Sequence, residues 1–466
     1  MTNFYINDLF SASEQNKRCF TPRNNAERSA IQRLLKRGEV VRVYRNLYAR
    51  KEYWSSLYES EKICHIAVSL IDIHPDWQLT SSTSAAMLGY QVMKDYDNEQ
   101  DCANNADARE GLTCAKGSDI KIYIRSANRK SLKYNNQLKV IPSVGYERDG
   151  LSDDVRVFTR DSGNAGQFLK LPHASDCVDD EIKSHLVDKS TMLLDVANNY
   201  SFRFALPIFD SAARDNVNLS KVIEICKGRF RSRCDSGGGS RSGGGSRSGN
   251  NIAKYGESAN HCDLDELQHR YKSDDHLSLE DLRCYAKTNG ETRCSLSFEQ
   301  IFVGEQDEFA RLCALCYFAD GNSENGGESL ARGTMIKLGF MIPKLQNEFV
   351  IPRLNLRYRC DFLWRISGGE LIVGEFDGYS KYYVDSTAPQ YKNVNLNSSQ
   401  DNKKLFEACN QSVIHKNIDK QAEREALLMK ECGVSKIVRF NYSEVLDSRK
   451  LEKKLVAAGV PRIMWK

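Results

Sequence analysis

The stretch YRCDFLWRISGGELIVGEFDG, residues 358–378, decides how this chain is read. Two apolar runs flank Ser367, Gly368 and Gly369, and each carries an acid, Asp361 in the first and Glu375 in the second. If the runs form a hairpin, residues whose numbers share one sum face each other, which sets Asp361 opposite Glu375. Opposed Cβ atoms stand only ~4.5 to 5.5 Å apart, and like charges so placed are destabilising. A divalent cation removes that repulsion, and hard oxygen ligands converging on one point suit Mg2+ or Mn2+. Glu375 and Asp377, two residues apart, share one strand face and with Asp361 make an expected three-carboxylate cluster. Their neighbours Phe362, Leu363, Trp364, Leu371, Ile372, Val373 and Phe376 are apolar, so the acids do not read as a merely solvated strand face.

Working outward, GGESLARGTMIKLG (326–339) reads as a helix with Glu328 and Arg332 as an i, i+4 pair and Gly339 as its stop. Glu328 lies near the helix start, where the macrodipole favours an acid, and it is the candidate third acidic group of the site. NEFVIP supplies a strand before Asp361, and the second half of the hairpin is followed by a polar excursion through His415. DKQAEREALLMKECG then reads as a helix with Arg424, Glu423 and Glu425 on its exposed side, ahead of the strand KIVRFNY and a last helix. The resulting element order is αβββαβ.

Upstream, NAERSAIQRLLKRGEVVRVYRNLYAR places Ile31, Leu34 and Leu35 at helical spacing and ends the helix at Gly38. A two-stranded ribbon follows, turning near Asn46. Helix plus hairpin is the outline of a winged helix, and Arg33, Lys36, Arg37, Arg42 and Arg45 are its candidate DNA-binding residues through phosphate neutralisation. Such contacts position a protein without specifying sequence. The reading therefore divides the 466 residues into four parts. These are a winged-helix-like segment over 1–52, a mixed α/β middle over 53–234 with an insertion near 94–117, a Gly/Ser-rich linker and polar segment over 235–299, and the αβββαβ domain over 300–466. In the middle region KICHIAVSLIDIHPDW, SSTSAAMLGY, STMLLDVANNY and ALPIFDSAARDN read as helices, with one serine expected to cap SSTSAAMLGY and Pro207 in a first turn or at a break. IKIYIR and VRVFTR read as strands.

A net charge of +4 over this length excludes a histone-like polycation, so any nucleic-acid contact must be local. The fifteen cysteines form no compact ladder and no apolar leader opens the chain, which points to reduced thiols and a cytoplasmic protein. No apolar run reaches the ~18 residues of a membrane helix. Cys313 and Cys316 form a CxxC inside an apolar helical stripe, which suits buried thiols better than zinc.

The order αβββαβ, with Asp361 on the second strand and Glu375 on the third, resembles the PD-(D/E)XK nuclease core. EFDGYSK, a helix beginning near AERE and the strand VRF resemble more narrowly the very-short-patch-repair-like branch, over about Gly326 to Arg462. RLLKRGEVVRVYRNLYAR resembles the winged-helix domain of AbiEi-type antitoxins, and TSAAMLG with STMLLDVA resembles the segments that follow it in actinobacterial members. The resemblance implies a magnesium-binding acid pair at Asp361 and Glu375, with a helix glutamate, Glu328, joining them. It also implies a lysine two residues past the second acid, where this chain has Asp377; Lys381 stands four residues further on and is the candidate for that role. The two expectations are a DNA-binding, metal-dependent endonuclease and a non-enzymatic antitoxin-like regulator with DNA or a toxin protein as partner.

Overall fold

A computed structural model describes residues 2–94, 120–126, 137–142, 180–225, 308–366, 368–377 and 419–462. They form mixed α/β structure in two compact units that meet in sequence between Gly321 and Asn322. No helix among the described residues is long and apolar enough to cross a membrane.

The first unit opens with α1 (Thr2–Gln15) and α2 (Asn25–Arg37), followed by the ribbon β1 (Val40–Tyr44) and β2 (Leu47–Arg50). The α2 helix starts where the Asn24 side chain accepts from the Glu27 N–H, and it stops at Gly38, whose φ of 73° is left-handed. Ile6, Phe10, Phe20, Ile31, Leu34, Val40 and Tyr48 form one small core beneath α2 and the ribbon. Phe20 bridges Tyr48, adding a third extended segment to the ribbon.

Helices α3 (Lys51–Ser56) and α4 (Glu59–Ile73) lead to β3 (Gln78–Leu79) and α5 (Ser81–Met87). Thr80 rather than a serine holds the N-cap position of α5, and its hydroxyl donates to Asp195 at 2.5 Å instead of capping the helix. β3 pairs antiparallel with β4 (Ile122–Ser126), which pairs parallel with β5 (Leu138–Pro142). After α6 (Asp180–Lys183) come α7 (Lys189–Asn199) and α8 (Phe202–Arg214). Pro207 lies inside α8, neither in its first turn nor at a break. Arg125 of β4 grips Asp195 of α7 through Nε at 2.8 Å and Nη2 at 2.6 Å, tying sheet to helix deep in the unit.

The helix α9 (Glu308–Phe318) packs on α7 and α8. Its contacts with these middle helices place it in the first unit, which runs to Gly321. VRVFTR, most of the 94–117 insertion and the 235–299 segment lie outside the described residues.

The second unit contains α10 (Gly326–Lys337), β6 (Lys344–Ile351), β7 (Leu356–Arg365), β8 (Leu371–Asp377), a helix α11 over 419–432, β9 (Val434–Asn441), α12 (Tyr442–Leu446) and α13 (Ser448–Ala458). The sheet order is β6-β7-β8-β9, antiparallel except for the parallel β8–β9 pair. This is the αβββαβ order expected from the sequence, with β9 entering beside β8 after a crossover that includes α11.

Two apolar layers sandwich the sheet. Tyr358, Cys360, Leu363 and Val373 share a cluster with Leu428 of α11. Phe362 lies 6.3 Å from Trp364 and 5.6 Å from Phe440, ring to ring, while Phe376 stands against Gly327 of α10. Strict alternation along β7 would put Cys360 and Phe362 on one face. It breaks at Asp361, which stands opposite Gln346, a residue held at a left-handed φ of 51°. Such irregularities re-aim a side chain out of the regular pleat.

Gly374 leaves room for the rings of β7: a Cβ there would meet the Trp364 ring at 2.8 Å and the Phe362 Cβ at 3.0 Å. Gly374→Ala should therefore destabilise the C-terminal unit by about 1 to 3 kcal/mol through overpacking. A urea unfolding midpoint equal to that of the unsubstituted protein would show that the buried rings yield without cost.

Candidate functional site

The hairpin sets Asp361 and Glu375 at facing positions of β7 and β8. Leu363 pairs with Val373 and Phe362 with Gly374, so the same register carries Asp361 to Glu375. Gly368 and Gly369, at φ of 95° and 83°, make the turn possible. The Phe376 N–H donates to Asp361 Oδ2 at 2.7 Å, which holds that carboxylate across β8.

Glu375 and Asp377 do not lie beside Asp361 as open ligands. Glu375 is only 3 % exposed, and its Oε1 accepts from Nη2 of Arg424 at 2.8 Å. The same Nη2 reaches the Arg359 carbonyl oxygen at 2.5 Å, and the guanidinium lies 5.8 Å over the Tyr358 ring. Arg439 of β9 grips both oxygens of Asp377, through Nε at 2.8 Å and through Nη2, while its Nη1 donates to Glu425 at 3.2 Å. Arg424 thus faces the sheet, not solvent as the helix pattern suggests. Its place four residues before the buried Leu428, on the same stripe, is the sequence signal that could have revealed this.

Glu328 is a buried acid whose partners differ from those expected. Its oxygens accept from the Glu324 N–H at 2.9 Å, the Asn325 side chain at 2.5 Å and the Gln346 side chain at 3.0 Å, and not from Arg332. Asn325 accepts in return from the Glu328 N–H at 3.0 Å, so an Asn-x-x-Glu capping exchange fixes this carboxyl. Burial first, then the Asp361 charge, push the Glu328 carboxyl up to about 8, against the donors from Glu324 and Gln346. Glu328 and Asp361 are therefore electrostatically coupled, and Glu328 carries a proton at neutral pH. Burial together with the Glu375 and Asp361 charges also pushes the neighbouring Cys360 thiol up to about 12, which leaves it unreactive.

Among the described residues no three His, Cys, Asp or Glu side chains converge closely enough to hold a metal ion. The expected cluster of Asp361, Glu375 and Asp377 is not assembled, because guanidiniums draw Glu375 and Asp377 onto α11 and β9. Asp361 with Glu328 nevertheless fits Mg2+ or Mn2+ in donor chemistry: the ion takes one or two carboxylates and keeps several waters. Burial is the larger cause of the raised Glu328 carboxyl, and the Asp361 charge adds to it in the direction that a cation would oppose. Lys381 and His415 lie outside the described residues.

In the first unit the basic residues expected to meet DNA are all exposed. Arg33, Lys36 and Arg37 lie on the outer side of α2, with Arg42 on β1 and Arg45 at the ribbon turn. Arg37 also lies 3.7 Å from Glu39, an exposed pair of little energetic consequence. Cys316 of α9 is buried and Cys313 half-buried.

No family model, curated protein or solved structure matches this chain. The site must be argued from its own geometry. Gln346, Arg424 and Arg439 are the residues that sequence reading missed; Gln346 owes its role to a backbone irregularity with no sequence signature.

Because Glu328 must lose its proton before it can ligate a cation, metal affinity should depend on pH. Mn2+ affinity is expected to rise about tenfold per pH unit between pH 6 and the Glu328 value, then level off. Glu328→Gln should flatten this dependence in a titration followed by electron paramagnetic resonance; an equally steep variant would remove Glu328 from the site.

Proposed function

We propose that this chain is a DNA-binding protein whose C-terminal unit is a metal-dependent nuclease of the PD-(D/E)XK type. The observation that carries this reading is the coupling of buried Glu328, from the helix before the sheet, to Asp361 on the second strand, beside Glu375 on the third. Three acids on those elements of an αβββαβ unit match the resemblance position by position. The winged-helix outline at the other end of the chain, with its five exposed basic residues, supports DNA as the substrate class.

Asp361 and Glu328 would hold the cation, with waters completing its shell. When bound, it would supply charge for the phosphate and lower the pKa of an attacking water. The chain's own contribution is placement. Phe376 N–H fixes Asp361, the Asn325 exchange fixes Glu328, and the apolar wall of Phe362 and Trp364 keeps bulk water from the underside of the strands. Lys381 is the candidate to orient water or neutralise the phosphate.

A second reading has its own observation. Arg424 and Arg439 already neutralise Glu375 and Asp377, as in a site kept only as a scaffold. The protein would then be an antitoxin-like regulator that binds promoter DNA or a toxin protein.

Purified protein should cleave DNA with Mg2+ or Mn2+, and Asp361→Ala or Glu375→Ala should lower the rate at least a thousandfold, on the order of a lost centre of charge stabilisation. Equal cleavage by both variants would identify a contaminant, and salt-sensitive binding without any cleavage would favour the regulator. Arg42→Ala with Arg45→Ala should weaken DNA binding and reduce the slope of log affinity against log salt by about two. An unchanged slope would move the DNA contact away from the wing.

A further inference from the structure

Strand β6 alternates buried and exposed residues except at one place. Leu345, Asn347, Phe349 and Ile351 are buried, while Lys344, Glu348 and Val350 are exposed. Gln346 belongs by number to the exposed row, yet it is half-buried and its backbone is left-handed at a φ of 51°. A residue without glycine's freedom is strained in that conformation, and such strain persists only where surrounding contacts fix it. The contact here is specific: Gln346 Nε2 donates to Glu328 Oε2 at 3.0 Å.

The bonds to Glu328 can be set against what its carboxylate is able to accept, which is about four lone-pair positions over two oxygens. The Glu324 N–H at 2.9 Å and the Gln346 amide fill Oε2, and the Asn325 amide takes one position of Oε1 at 2.5 Å. Among the described residues that leaves one position, on Oε1. Without Gln346 each oxygen would have an open position, and the carboxylate would no longer present a single one. Leu345 pairs with Phe362 and Asn347 with Cys360, which sets Gln346 opposite Asp361. One residue therefore faces one acid across the ladder and holds the other from α10.

We propose that Gln346 is a positioning residue of the cation site: its amide closes Glu328 Oε2, so that the carboxylate presents Oε1 to an ion shared with Asp361. This rests on the metal-dependent reading of that site. Hydrogen-bond partners that orient a ligand in this way govern metal affinity by about ten- to a hundredfold. A neutral amide suits the task, because a cationic side chain there would compete with the ion and a further acid would repel Glu328. Gln346 itself touches no reacting atom.

The test is an Mn2+ titration of the full chain at one fixed pH, followed by electron paramagnetic resonance, with the melting temperature measured alongside. Gln346→Gly removes the amide and relieves the left-handed backbone. It should bind Mn2+ about tenfold more weakly, with an altered line shape for the ion that remains bound, while melting no earlier than wild type. Glu348→Gln removes an exposed charge from the same strand and should leave the affinity unchanged. If Gln346→Gly melts early, Gln346→Asn is read instead: asparagine tolerates the left-handed region but is one methylene too short for the bond to Glu328, and should show the same loss. Wild-type affinity and line shape in whichever Gln346 variant melts with wild type, or an equal loss in Glu348→Gln, would overturn the proposal. The two ideas fail separately. Wild type that binds no Mn2+ sinks the nuclease reading and this role with it, whereas Asp361→Ala losing Mn2+ while both Gln346 variants keep it sinks only the role of Gln346.

Discussion

An ionised carboxylate inside an apolar sheet must be paired, hydrogen-bonded or protonated, and the C-terminal unit depends on how it meets that constraint. Leaving such a charge buried and alone costs several kcal/mol, about as much as a domain's whole margin of stability. Four acids, Glu328, Asp361, Glu375 and Asp377, lie buried or half-buried here, and they are handled in three ways. Asp361 takes a backbone N–H from the next strand, Glu328 keeps a proton within a helix cap, and Glu375 and Asp377 each take an arginine. The arginines come from α11 and β9, so the same bonds that neutralise the acids also fasten the crossover onto the sheet. Removing either arginine would therefore act on the fold and on the site together.

The first unit obeys the same rule with a different result. Asp195 accepts two bonds from Arg125 and one from Thr80, and both ionic partners are almost completely buried. Here the pair joins β4 to α7 and draws Thr80 away from capping α5. A pair of this kind is weak evidence for net stability but specifies which elements meet, because breaking it leaves the partner charge unpaired. The small core beneath α2 and the ribbon, by contrast, is apolar, and the charges around it stay on the outside.

What was legible in the sequence follows from which interactions are local. Asp361 and Glu375 could be paired in advance because Gly368 and Gly369 fix the turn and a constant sum fixes the register. The α2 helix and ribbon were legible because Asn24, Gly38 and Asn46 punctuate them within a few residues. Arg424 was not, because its partner Glu375 is 49 residues away and a helix flanked by Glu423 and Glu425 reads as solvated. Glu328 was misassigned to Arg332 because i, i+4 spacing permits a pair that the stronger capping exchange with Asn325 pre-empts. Gln346 could not be found at all, since a non-glycine left-handed residue opposite Asp361 is a property of the assembled sheet.

The departure at position 377 gains a physical meaning from the same bonds. The resemblance implies a lysine there, a positive group beside the acid pair, and Asp377 reverses the sign. Arg439 restores neutrality at that point, but with Nε, Nη1 and Nη2 all committed to acids it offers no further donor to a substrate along those directions. Among the described residues Arg424 is the cation that touches Glu375 and still has a donor with no acceptor. Arg439 and Arg424 therefore answer Asp377 and Glu375 separately, one from β9 and the other from α11.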